Sequence, residues 1–194
     1  MKAIKLLQLF CVFWMFSCNS PKNTILAKYN NCMEHAEKIP FEIEGGGQGF
    51  THNVKPACVI GGQLADFEMT DIKGNRINTR ELKGQISVFH FWFIKCKPCL
   101  EEMPDLNKLR EKCKDTNINF FAISLDSVAQ LQLFFENHEF NFRQFPNGQK
   151  IIEEQLGGSW GYPSTWVFDK ENKVKRIFRK MSAEDLVELE GLLM

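Results

Sequence analysis

Between Phe89 and Leu106 the sequence reads FHFWFIKCKPCLEEMPDL, and no other stretch of the chain restricts the fold as much. A Phe-rich apolar run meets two cysteines separated by two residues, then changes at once to a helical pattern. The run QISVFHFWFI is β-prone and unbroken by polar alternation, which suits a strand buried on both faces. Leu100, Met103, Leu106 and Leu109 then keep a 3.6-residue rhythm through Lys114, with Pro104 expected to kink the helix they define. A strand that delivers Cys96 to the first turn of a helix places its sulfur among unpaired backbone N–H groups at the positive end of the dipole. That position favours the thiolate. Lys95 and Lys97 add positive charge, screened where they are exposed. Cys99 falls one turn further in, less exposed and within reach of Cys96. This geometry suits thiol–disulfide exchange, with Cys96 attacking a disulfide and Cys99 resolving the mixed disulfide.

Other uses of the pair fit less well. A zinc site needs four ligands, and Cys113, His35, His52, His90 and His138 are scattered along the chain. Pro98 between the cysteines and the immediate onset of a helix also favour redox use over a structural disulfide or two inert thiols.

The compartment decides what such cysteines do. MKAIKLLQLFCVFWMFSC opens with Lys2 and Lys5, followed by an apolar run from Leu6 to Phe16 broken only by Gln8. That run is too short to span a bilayer comfortably and reads as an export signal over residues 1–17. Ser17 and Cys18 resemble the end of a bacterial lipoprotein signal, which implies lipidation of Cys18 and anchoring to a membrane through it. Beyond Cys18 lie Cys32, Cys58, Cys96, Cys99 and Cys113, an odd set in which at least one thiol is unpaired. The 24 basic residues balance the 24 acidic ones, and losing residues 1–17 would leave about −2. With no basic patch, nothing points to nucleic acid.

Residues 19–30 read as a polar tether, 31–39 as a short helix ended by Pro40, and FEIEGGGQGF as a brief strand and a glycine-rich loop. Residues 18–60 are therefore expected to be a tether and N-terminal extension, and 61–194 a single α/β domain. Within that domain a hairpin turns around Lys73-Gly74-Asn75. A second buried strand is expected at 117–126, and a helix places Val128, Leu131, Phe134, Phe135 and His138 on one face. A short strand at FRQFP, a helix at GQKIIEEQL, two strands at STWVFDK and VKRIFRK, and a final helix complete the pattern. Ser182 and Asp185 open that helix with capping-box spacing. Strands alternating with helices predict a central mixed sheet flanked by helices.

Several of these motifs in order resemble the thioredoxin superfamily, in particular the TlpA/ResA-like membrane-anchored thioredoxins of the bacterial envelope. LADFEMTDIKGNRINTRELKGQ resembles their N-terminal hairpin. FWFIKCKPCLEEMPDLNKL resembles their strand, CxxC and kinked helix, with Pro104 eight residues after Cys96. GYPSTWVFDKENKV resembles the segment that carries a cis-proline. The resemblance implies a thioredoxin-like fold and an envelope thiol–disulfide oxidoreductase that reduces exported client proteins. It needs no bound cofactor or metal, and draws electrons from a membrane thiol donor of the DsbD/CcdA type. It implies that Pro163 is cis, that Tyr162, Trp92 and Lys95 contribute to substrate contact, and that Lys97 and Pro98 tune the pair. It places Asp126 where an acid tunes cysteine protonation, although a strand-end aspartate capping the next helix fits equally. His90 stands six residues before Cys96, where thioredoxins carry a buried proton-relaying Asp; a hydrogen-bonded core histidine fits as well. Lys95 replaces the usual Trp. Cys32 and Cys58, outside the matched span, are a candidate structural disulfide, with connectivity left open by sequence alone.

Two alternatives remain beside this reading. A thiol peroxidase of the AhpC/TSA group shares the DFEMTD pattern, but Phe89 and Phe93 stand where its peroxidatic motif carries Pro and Thr or Ser. A non-catalytic module would use the two sulfurs as soft ligands for Cu(I).

Overall fold

The computed structural model describes residues 23–194 apart from Glu44 and Ser159. The expected signal (1–17), Cys18 and residues 19–22 lie outside the described residues. The first helix, α1, runs Ile25–His35, not 31–39 as the sequence pattern predicted. Thr24 caps it by accepting the Ala27 N–H at 3.1 Å, and Ile25 is buried completely; together these start the helix within the expected tether. Pro40 does not end that helix but sits in a strand, β1 (Lys38–Glu42), paired antiparallel with β2 (Gln48–His52). The expected glycine-rich loop therefore contains a second strand. The Phe41 ring covers Gly49, at the only residue type without a Cβ to block it. This hairpin leaves Ile39, Phe41, Ile43 and Phe50 exposed.

The hairpin around Lys73–Asn75 pairs β3 (Glu68–Thr70) with β4 (Arg76–Asn78). Asp71 holds its turn, accepting the Lys73 and Asn75 N–H groups at 2.9 Å each and Arg143 Nε at 2.8 Å. Burial alone would raise the Asp71 carboxyl, but the bonds from Asn75, Arg143 and Lys73 hold it below the usual range.

The main sheet contains β5 (Ile86–Trp92), β6 (Ile118–Ser124), β7 (Arg143–Phe145), β8 (Ser164–Phe168) and β9 (Val174–Arg179). Its order is β7-β6-β5-β8-β9. β5, β6 and β7 are parallel, and β8 and β9 run antiparallel. Four further helices cover it: α2 (Lys97–Lys112), α3 (Val128–Phe134), α4 (Gln149–Leu156) and α5 (Ala183–Leu193). This is the mixed sheet flanked by helices that the alternating pattern predicted. Pro104 lies inside α2 without ending it. α3 stops at Phe134, so His138 is not on its face; instead His138 stacks on Phe134 with ring centroids 4.0 Å apart. Ser182 and Asp185 form the expected capping box of α5.

Side chains of β5 alternate between two cores, which is why its sequence shows no polar face. Val88 and Trp92 pack with Met103 and Leu106 of α2 and Leu189 of α5. Phe89 and Phe91 pack on the other face with Ile25 of α1, Ile152 and Leu156 of α4, and Trp166. Phe89 meets Phe168 at 4.8 Å and Phe121 at 5.3 Å, each pair contributing about 0.5–1.5 kcal/mol beyond area burial. Central β5 is thus fixed on both sides, and its C-terminal end carries the cysteine turn.

Candidate active site: the Cys96–Cys99 pair

From the end of β5 the chain turns through Phe93–Lys95, and the Cys96 N–H closes that turn on the Phe93 carbonyl at 3.0 Å. Cys96 is the N-cap of α2, and its sulfur accepts the Cys99 N–H at 3.3 Å. One of the otherwise unpaired amides of the first helical turn therefore points at the sulfur, which stabilises negative charge there. Pro98 sits in the same turn, where a missing N–H leaves no bond unmade. A disulfide joins Cys96 to Cys99 with Cα atoms 5.2 Å apart, so the structure is that of the oxidised pair. Cys99 is fully buried and Cys96 keeps 5% exposure; an attacking or attacked sulfur from outside meets Cys96 first. Lys95 and Lys97 are exposed. Lys97 stands 3.9 Å from Glu101 with most of its side chain in water, where an ion pair contributes little.

The Tyr162–Pro163 peptide is cis. Pro163 is buried and Tyr162 half-buried, and the Tyr162 ring meets Phe93 edge-on at 5.3 Å. The cis-proline turn thus stands against the turn that leads to Cys96.

Asp126 also reaches that turn. Its Oδ2 accepts the Ile94 N–H at 2.7 Å and the Ser124 hydroxyl at 2.8 Å. It caps no helix, because Ser127 and Gln130 form the capping box of α3. The carboxylate instead ties the end of β6 to the chain two residues before Cys96.

One expected role needs correction, and of the two readings of His90 the hydrogen-bonded core residue holds. Trp92 is completely buried, ringed by Phe134, Phe135 and Phe140 at 5.5–6.1 Å, so it offers no surface to a substrate. It faces the α2 side because β5 alternates. His90 is also completely buried. Its Nδ1 lies 2.9 Å from Thr165 Oγ1, its Nε2 has no partner, and Phe140 stands edge-on at 5.5 Å. Burial pushes its pKa down to about 3. A proton relay near neutral pH needs a group that titrates there, so His90 is a neutral core residue.

The group that does titrate near neutrality is one the sequence reading missed. Glu102 follows Cys99 by three residues on the buried face of α2, among Cys99, Met103 and Leu106. Its Oε1 accepts the Met181 N–H at 2.7 Å and its Oε2 is buried without a partner. Burial raises its pKa to about 7, with repulsion from Asp185 adding to the rise and the Met181 bond opposing it. The available signal was an acid interrupting an otherwise apolar i, i+3, i+4 stripe. Elsewhere, a disulfide joins Cys32 to Cys58 with Cα atoms 6.4 Å apart. Cys113, the C-cap of α2, is a buried free thiol. Among the described residues no group of three or more His, Cys, Asp or Glu side chains gathers to hold a metal; the donors at the pair are two sulfurs.

The family model of the AhpC/TSA family matches residues 60–177, a span running from the end of the N-terminal extension into β9. The chain belongs to the AhpC/TSA family. Among curated relatives it is 32% identical over 152 residues to the thiol-disulfide oxidoreductases ResA of Bacillus thuringiensis and Bacillus anthracis. Each of those matches covers 75% of this chain and 83% of the relative. The thioredoxin domain of a thiol-disulfide oxidoreductase from Bacteroides vulgatus shares the fold, with a TM-score of 0.60 at 23% identity over 70% of this chain and 98% of that one. The resemblance drawn from the sequence is correct: this ResA-like AhpC/TSA member has a thioredoxin fold and is a protein-disulfide oxidoreductase. Cys96–Cys99 is the one disulfide among the described residues with both of its cysteines at the start of an α-helix.

Proposed function

We propose that the protein reduces disulfides of exported client proteins in the bacterial cell envelope. In this reading it faces the periplasm, anchored by a lipid on Cys18, and is recharged by a membrane dithiol donor of the DsbD/CcdA type. The observation that carries it is a redox pair at a helix N-terminus beside a cis-proline turn, in a chain that holds a second, separate disulfide. Cys32–Cys58 fits a compartment where thiols oxidise, so the Cys96–Cys99 dithiol there depends on a dedicated donor. No described helix is long and apolar enough to cross a membrane, and in this reading the anchor is the lipid.

The reaction balances as two exchanges. The Cys96 thiolate attacks one client sulfur, and the other client sulfur leaves as a thiolate and takes a proton. Cys99, deprotonated with Glu102 as the nearby buried base, then attacks the Cys96 sulfur, releasing the client dithiol and leaving the disulfide seen here. The donor's two electrons and two protons restore the pair. The edge of the Tyr162–Pro163 turn would hold the client as an added extended strand.

Equilibrating the pair against glutathione or a thioredoxin standard tests the direction. A potential near or below roughly −270 mV supports a reductant, and one near roughly −120 mV would make the protein an oxidant and overturn the proposal.

A further inference from the structure

The family match begins at residue 60, so α1 and both cysteines of the second disulfide lie outside it. Yet α1 packs on the segment that leads to the cis-proline. Tyr29 meets Trp160 edge-on, with centroids 5.3 Å apart and planes at 72°. Gly157, at the C-terminus of α4 with φ +82°, has no room for a Cβ because the Tyr29 ring fills the place. The Tyr29 hydroxyl is 3.5 Å from the corresponding position on Gly158. Trp160 is buried, donates Nε1–H to the Leu156 carbonyl at 3.1 Å and rests on Trp166 at 5.7 Å. Three residues later comes Pro163. Gly157, Gly158 and Gly161 all have positive φ, and the Arg179 guanidinium lies against Gly161. Tyr29 packs on Gly157 and Gly158 from outside the segment.

What keeps Tyr29 there is equally specific. Ile25, Tyr29 and Cys32 fall at i, i+4 and i+7 on one face of α1. The first turn is pinned by Ile25, whose N–H donates to Gln63 at 3.0 Å, and by the Gln63 N–H donating to Asn23 at 2.8 Å. The last turn is pinned by Cys32–Cys58. An 11-residue helix is marginal alone in water, so its hold on the segment depends on these two ties.

We propose that Tyr29, clamped by the Cys32–Cys58 disulfide, is a positioning residue for the client-binding cis-proline turn, making the N-terminal extension part of client recognition. Ring contacts join Tyr29 to Trp160, three residues before Pro163, and Tyr162 to Phe93, three residues before Cys96. Ile25 and Tyr29 of α1 belong to the core on one face of the sheet, and Cys96 and Cys99 to the core on the other. Loss of the clamp therefore weakens docking of a protein disulfide and leaves the chemistry of the two sulfurs unchanged. The inference rests on the disulfide-reducing reading of this site.

The test uses the full chain with a dithiol in excess as the electron source, the uncatalysed rate subtracted, and the Cys32–Cys58 bond checked after the assay by the mass of the alkylated chain. Reduction of insulin and of oxidised glutathione is compared for wild type, Tyr29→Ala, Tyr29→Phe and Cys32→Ser/Cys58→Ser. Tyr29→Ala and the double serine variant are expected to raise the KM for insulin about fivefold. Their kcat, their reaction with glutathione disulfide and the potential of the pair stay at wild-type values, and Tyr29→Phe behaves as wild type. Insulin KM values unchanged in both variants would overturn the proposal, as would equal losses on insulin and glutathione disulfide. If Tyr29→Ala does not fold, Tyr29→Leu and the double serine variant decide by the same readouts. A wild-type protein that reduces neither substrate would instead refute the disulfide-reducing reading.

Discussion

Glu102 Oε1 accepts the backbone N–H of Met181 at 2.7 Å, while its Oε2 is buried with no partner one helical turn beyond Cys99. Burial raises the pKa of this acid to about 7, and its place on the same buried face of α2 as Cys99 makes it the expected base for Cys99 when the mixed disulfide is resolved. Glu102→Gln keeps the Met181 bond and removes the base. Resolution at pH 8 is expected to slow about 100-fold, with the rise near pH 7 gone from its pH–rate profile. Rapid-quench kinetics of the mixed disulfide checks this, and an unaltered profile would remove Glu102 from the reaction.

Glu102 and His90 also set opposite pH slopes on stability. The Glu102 pKa is raised from 4.5 to about 7, so its contribution is complete below pH 4.5 and is lost as pH rises to 7. The His90 pKa is lowered from 6.5 to about 3, so its contribution is complete above pH 6.5 and is lost as pH falls toward 3. Each slope is about 1.4 kcal/mol per pH unit. Between pH 4.5 and 6.5 the two cancel. Urea midpoints are expected to keep rising up to pH 6.5 in Glu102→Gln, and to fall from pH 4.5 to 7 in His90→Phe.

Asp126 tests how tightly the turn before Cys96 must be held. Asp126→Ala leaves the Ile94 N–H without its 2.7 Å acceptor, at a cost of about 1–2 kcal/mol in unfolding free energy. Asp126→Asn keeps an acceptor oxygen and is expected to lose less. Equal losses in the two variants would show that charge, not the bond to Ile94, matters there.

Much of this was legible in the sequence because pattern and chemistry agreed locally. The Phe89–Leu106 stretch defines strand, redox pair and helix together, and Ser182 with Asp185 marks the last helix start. What escaped depends on contacts distant in sequence. Glu102 resembles any helical acid until burial in the core raises its pKa to about 7 against the opposing bond from Met181. Trp92 looks available to a substrate until α3 and Phe140 close over it. The start of α1 was hidden because Thr24 caps it within a polar stretch and Ile25 is the one residue of the helix that is fully buried. β2 was hidden because Gly45–Gly49 reads as loop, although Gly49 is where the Phe41 ring crosses.

Cys113 gives a check on burial that is independent of activity. The thiol is 2% exposed between α2 and α5, and burial, with the nearby Glu190 carboxylate adding to it, pushes its pKa up. Maleimide labelling of the oxidised native protein at pH 7 is expected to leave Cys113 unmodified, with labelling only after denaturation. Prompt native labelling would mean that the end of α2 opens readily.

The order of the two exchanges gives the most direct test of the pair. Cys96 is the sulfur with residual exposure and the helix amide beside it, and Cys99 is sealed. Cys96→Ser is expected to abolish disulfide reduction, because a client sulfur cannot reach Cys99. Cys99→Ser leaves the first exchange intact and removes the second, so the client accumulates as a mixed disulfide on Cys96. Non-reducing electrophoresis and mass spectrometry of the trapped species would show one client chain per protein, released by dithiothreitol. Multi-turnover reduction at the wild-type rate by Cys99→Ser would overturn this division of labour, since the client would then be leaving Cys96 without an internal thiol to displace it.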